Sequence, residues 1–189
     1  EFSRDVLENL REPLEENKIT VSRAKGSLTF PAQFMMVAAM NPCPCGYLFD
    51  SFKECICSPS QIIKYKRKLS GPLLDRIDIH IEVPSVKYKD LSDESSGEKS
   101  EVIRSRIMQA REIQLARFKD EGIFANSQMS HKLARRYCKL DDASRDLLKI
   151  AITELGFSAR CYDKILKVSR TIADLEGKEN ISSDHVSEA

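Results

Sequence analysis

Four cysteines fall within fifteen residues, as Cys43-x-Cys45 and Cys55-x-Cys57. Four thiolates can close a tetrahedral zinc shell with Zn–S bonds of about 2.3 Å, and Gly46 allows the tight turn such a knuckle needs. The same thiols also fit free buried cysteines or a redox pair. Cys138 and Cys161 sit at helical spacing among apolar residues and read as core. Just before the first cysteine pair, the apolar run Phe34–Met40 ends on Asn41. A side-chain amide both donates and accepts, so it can orient a water and sense a phosphate oxygen; it can equally cap the Pro-Cys turn. Arg76 lies between Asp75 and Asp78, where it either pairs locally or projects into a neighbouring subunit's phosphate site. Arg160 falls in the first turn of a predicted helix, against the macrodipole, which points to an outside anion. Lys64, Lys66, Arg67 and Lys68 form a run beside Tyr65 with no acid inside it, suited to phosphates or to a solvated helix face. Arg23 and Lys25 stand at the tip of a predicted hairpin, able to enter a nucleic-acid groove or simply to solubilise the turn.

Composition narrows the classes. The chain has 189 residues, 41% hydrophobic and 31% charged, with a formal net charge of +1. That suits one or two soluble domains, and any nucleic-acid affinity must come from local patches. No apolar run approaches the roughly 20 residues that span a bilayer, and no signal peptide is visible. The expected location is cytoplasmic, where clustered cysteines favour metal over disulfides. His80, His131 and His185 are dispersed and form no ligand set. Serine-hydrolase, zinc-protease and P-loop signatures are all missing.

The elements that must position these residues can be read in order. Ser3 caps a helix carrying Val6, Leu7, Leu10 and Leu14. Ile19–Arg23 and Ser27–Phe30 alternate around Ala24-Lys25-Gly26 and predict a β-hairpin. Phe34–Met40 reads as a strand buried on both faces. Ser58-Pro59 opens a helix through Lys68, Ser70-Gly71-Pro72 opens a short one, and Ile77–Val83 alternates as a strand. Residues 85–100 are polar and read as a linker. Every later segment is helical: Glu101–Asp120, Ser130–Leu140, Asp141–Leu155, Ser158–Leu175, and a last helix from Ser183. The predicted organisation is α/β plus all-α: a mixed half over 1–84 with a cysteine-rich insert at 43–57, the linker, and a helical half over 101–189.

Several stretches taken together resemble a known family. They are Glu1-Phe-Ser-Arg-Asp-Val-Leu-Glu8, Val21-Ser-Arg-Ala24, Thr29-Phe-Pro-Ala32, Val37-Ala-Ala-Met-Asn-Pro-Cys-Pro-Cys-Gly46, Ser70-Gly-Pro-Leu-Leu-Asp-Arg-Ile-Asp78, Phe157-Ser-Ala-Arg160 and Arg170-Thr-Ile-Ala-Asp-Leu175. In this order they resemble the magnesium-chelatase-like AAA+ ATPases of bacteria, the ComM (YifB) group. The resemblance implies an incomplete AAA+ P-loop-type α/β core, with Phe34–Met40 and Ile77–Val83 as strands 4 and 5, followed by a helical lid. It implies Asn41 as the sensor-1 residue and Arg76 as the arginine finger. Arg160 matches the sensor-2 arginine, with Arg170 as its rival. Residues 19–30 match the hairpin facing the central pore. The cofactors implied are ATP and Mg2+, with structural Zn2+ at the cysteines. The partners implied are DNA and a homo-oligomeric, hexameric ring, and the activity is that of a helicase in branch migration. The family's Walker A loop and Walker B acids would lie upstream of Glu1, so the chain is expected to be inactive in ATP hydrolysis alone. Two rival readings stay open: a chelatase-type motor subunit for metal insertion, and a zinc-stabilised nucleic-acid-binding module.

Overall fold

Helix boundaries in this chain follow its caps. In the computed structural model, which describes residues 2–84 and 97–189, the chain forms two compact units, Glu1–Ser92 and Asp93–Ala189. Most of the expected linker lies outside the described residues.

In the first unit, Ser3 accepts from Val6 N and starts α1 (Arg4–Glu8). The single helix predicted to reach Leu14 is in fact two, because α2 spans Arg11–Glu16. Pro13 has no N–H to give to the Asn9 carbonyl and would clash with it, so the helix breaks at Asn9–Leu10. Asn17, at φ 54°, ends α2 in the left-handed region and turns directly into the hairpin. Strands β1 (Lys18–Arg23) and β2 (Gly26–Pro31) pair antiparallel, with Ile19 opposite Phe30 and Arg23 opposite Gly26. Thr20 and Thr29 hydroxyls join across the ladder at 3.0 Å. Ser58 caps α3 (Pro59–Lys66) in a reciprocal capping box with Gln61, and Ser70 caps α4 (Gly71–Leu74).

Two strand expectations fail. Among the described residues the hairpin is the only sheet, and neither 34–40 nor 77–83 forms a ladder. Met35 is 88% exposed, Val37 84%, Ile81 83% and Val83 82%. A sequence run can be suited to a buried strand, but a strand exists only when neighbours take its N–H and C=O groups. No described segment pairs with these runs. The α/β half is therefore seen as short helices and one hairpin.

The second unit folds as expected around caps. Its helices are α5 (Ser100–Arg117), α6 (His131–Tyr137), α7 (Asp142–Leu155), α8 (Ala159–Leu175) and α9 (Ser183–Glu188). Ser130, Asp141 and Ser158 cap α6, α7 and α8, and Gly156 at φ 66° ends α7. A 3-10 turn at Asn126–Gln128 and a parallel bridge between Leu140 and Ile181 were not foreseen. Phe118, Met129, Ala134, Cys138, Leu148, Ile165, Leu166, Ala173, Ile181 and Val186 form one core. Phe118 meets Tyr137 edge to face, with centroids 5.5 Å apart.

Candidate metal and nucleotide-sensing sites

The loop from Pro42 to Cys57 brings together what the spacing only hinted at. Gly46, at φ 88°, sends its N–H back to the Cys43 carbonyl at 3.1 Å and folds the first cysteine pair into a knuckle. Sγ of Cys43 lies 3.4 Å from that of Cys45 and 3.7 Å from that of Cys55, and Cys45 lies 3.6 Å from Cys55. All four sulfurs, Cys57 included, fall within 4.8 Å of one another. A tetrahedron of thiolates about 2.3 Å from a central ion has edges of about 3.8 Å. The spacing therefore fits a four-coordinate metal, and none of the six cysteines is in a disulfide.

The four thiols are electrostatically unequal. A backbone hydrogen bond at Tyr47 leads in drawing Cys45 down to about 6. Burial leads in pushing Cys57 up to about 12, helped by its cysteine neighbours. At Cys55 the backbone hydrogen bond at Cys57 is the largest influence and lowers the value, but burial and the neighbouring thiols outweigh it and the net direction is up. A cluster with one ready thiolate and two reluctant thiols is what four close sulfurs give without a cation to share. Cys138 lies in the core of the helical unit, pushed up to about 11 by burial, and Cys161 packs against that core. Both are structural, as expected. His131 pairs with Asp163, and His185 accepts from Ser182 N and faces Glu176; none of the histidines joins the cysteines.

Asn41 is exposed at the entrance to the knuckle, its amide nitrogen 4.0 Å from where a Cβ on Gly46 would stand. Arg76 lies just beyond α4. Its guanidinium side chain is 9% exposed, pairs with Glu15 of α2 and donates to the Pro72 carbonyl. Its Nε–H is buried with no acceptor. Asp75 and Asp78 were the local partners foreseen for it; the pairing with Glu15 was not foreseen. Glu15 is 61 residues away in sequence, and no spacing rule could have found it.

The two arginines of the helical unit that matched a sensor position, Arg160 and Arg170, differ sharply. Arg160 is exposed in the first turn of α8. Arg170 is 3% exposed. It donates through Nε to Asp174 and through its terminal nitrogens to the carbonyls of Lys178 and Glu179. Burial lowers its pKa, with the Asp174 charge opposing. Arg117 makes a two-pronged contact with the same carboxylate, and Asn126 donates to it at 2.8 Å. A groove of about 530 Å3 opens beside this network, with Arg117, Arg136, Lys139, Arg170 and Lys178 in its wall. The network's members lie far apart in sequence, and the sequence reading saw only Arg170.

Arg23 ends β1 and Lys25 sits in the turn that follows. Lys64, Lys66 and Arg67 are exposed on α3 and its cap, while Lys68 is half-buried with its Nζ 5.9 Å from the Tyr65 ring centre.

Sequence comparison decides the family. The pattern described as "Magnesium chelatase, subunit ChlI" matches residues 1–91, and that of "Magnesium chelatase, subunit ChlI C-terminal" matches residues 97–189. The chain belongs to the magnesium-chelatase-like family. Competence protein ComM of Haemophilus influenzae is 44% identical over 190 residues, covering all of this chain and 36% of that protein. The uncharacterized protein YifB of Escherichia coli is 38% identical with the same coverage. An uncharacterized protein of Mycobacterium bovis is 35% identical over 189 residues, all of this chain and 37% of its own length. This member thus spans little more than a third of the length of these relatives. No described helix is long and apolar enough to cross a membrane.

Proposed function

We propose that this chain carries the nucleotide-sensing segment and the helical lid of an AAA+ ATPase of the ComM kind, a hexameric ring motor acting on DNA. The observation that carries the reading is the unbroken likeness to ComM over the whole chain. In this reading Asn41 orients the attacking water, and Arg76 is presented to the nucleotide of the adjacent protomer. Its buried, acceptor-less Nε–H is an unspent donor that fits such a role. Glu15 holds the guanidinium when no phosphate is near and is the partner Arg76 exchanges for it. Arg160 is the sensor-2 candidate by its place in Phe157-Ser-Ala-Arg160, with Arg170, bound to Asp174 and two carbonyls, as its rival. ATP with Mg2+ supplies the phosphoryl group whose transfer drives the motor; its cradle is a Walker A loop, which these 189 residues do not contain. The hairpin tip, with Arg23 and Lys25, faces DNA in the pore, and the four cysteines hold a structural Zn2+ that fixes the loop following Asn41.

In the full-length polypeptide, Arg76→Ala should slow ATP turnover by on the order of 10³-fold or more while nucleotide affinity changes little. Unchanged turnover removes Arg76 from this role. The second reading, a motor subunit for metal insertion, is favoured by the family description itself. Turnover stimulated by DNA, and lost on Arg23→Ala with Lys25→Ala, supports the DNA motor; turnover indifferent to DNA supports the chelatase type.

A further inference from the structure

The loop between the two cysteine pairs carries large side chains that nothing in the unit covers. Phe49 is 71% exposed and Phe52 67%. Rings left in water at a pinned loop mark a contact surface. Their neighbours say which kind. The Lys53 ammonium stands 5.0 Å from the Tyr47 ring centre, and that of Lys66, from α3, stands 5.8 Å from the Phe49 ring centre. Lys66 thus brings the end of α3 against the aromatic loop. Asp50 turns its carboxylate inward, accepting from the backbone N–H groups of Phe52 at 2.7 Å and Lys53 at 2.9 Å. From Tyr47 to Lys68 the cations Lys53, Lys64, Lys66, Arg67 and Lys68 outnumber the acids Asp50 and Glu54.

We propose that this surface binds single-stranded nucleic acid, with bases stacked on Phe49 and Phe52 and phosphates on Lys53 and Lys66. Exposed rings interleaved with cations are the arrangement that holds unpaired strands without sequence preference, since every base has a π face. A duplex hides those faces in its own stack. A protein partner is disfavoured because lysine is depleted at the centre of protein interfaces, whereas here ammonium groups sit over the rings. The inference deepens the DNA reading above and does not depend on ATP turnover.

The test is binding of the whole chain to a fluorescent oligothymidylate and to a duplex of equal length, followed by anisotropy. The single strand should bind more tightly than the duplex. Phe49→Ala and Phe52→Ala should each weaken it roughly tenfold with circular dichroism unchanged. Lys53→Ala and Lys66→Ala should flatten the dependence of affinity on salt. Equal or tighter binding of the duplex overturns the proposal, as does affinity indifferent to both phenylalanines. If binding falls only on Arg23→Ala with Lys25→Ala, the surface is wrong and the DNA reading stands. If neither nucleic acid binds, and sedimentation shows self-association that Phe49→Ala abolishes, the surface joins copies of the chain and the proposal falls. The Arg76→Ala turnover assay then judges the motor separately.

Discussion

Cys45, Cys55 and Cys57 matter through their protons as much as through their sulfurs. With Cys57 held near 12 and Cys55 also raised, the metal-free site keeps those protons at neutral pH, whereas Cys45 near 6 has largely lost its own. Metal binding must expel what remains. Adding zinc to metal-free protein in weak buffer should therefore release protons, and affinity should rise with pH and fall in acid. Zinc uptake without proton release, measured by a pH indicator, would count against thiolate coordination. At Asp174 the issue is charge balance in a dry place. Its carboxylate is fully buried and faces both Arg117 and Arg170. Asp174→Asn leaves two guanidinium groups without their counter-charge, and removing one partner of a buried pair typically costs about 3–5 kcal/mol. The helical unit should lose a large share of its stability in urea, and a wild-type midpoint would show that solvent reaches the pair.

Among the elements, α3 and α7 show how local chemistry sets helix ends. Ser58→Ala removes the acceptor of Gln61 N and one side of the capping box. The expected loss is about 1 kcal/mol, confined to α3 and visible as faster amide exchange over Gln61–Lys64. Gly156 ends α7 at φ 66°, and a Cβ there would touch nothing within 4 Å. Gly156→Ala should thus destabilise through backbone strain alone, by about 1 kcal/mol. A much larger loss on thermal melting would reveal packing that the structure does not show. The hairpin is a different case, since all positions of β1 and β2 are exposed. Its register rests on the tight turn and on cross-strand pairs such as Thr20–Thr29, so it should exchange readily despite its full ladder.

The two units differ in what holds them. The helical unit has a continuous core, whereas among the described residues of the first unit the buried apolar ones are Pro13, Cys43 and Leu73. Hydrophobic burial is the main favourable contribution to folding, so the helical unit should resist hydrogen exchange far longer than the first unit. Residues 34–40 and 77–83 should exchange within the shortest time measurable. Protection there equal to that in 142–175 would mean that these runs are paired after all.

What the sequence settled by itself was mostly local. Ser58, Ser70, Ser130, Asp141 and Ser158 announce helix starts because capping joins groups only two or three residues apart. Ala24-Lys25-Gly26 announces the hairpin for the same reason, and the cysteine clusters announce each other by proximity. Tertiary structure alone decided the Arg76–Glu15 pair, the sharing of Asp174 by two arginines, and the meeting of Lys66 with Phe49. It also decided against strands at 34–40 and 77–83. Helices satisfy their own backbone, so their caps and periodicity suffice to foresee them. A strand depends on groups supplied by another segment, and a ion pair across 61 residues depends on the path of everything between.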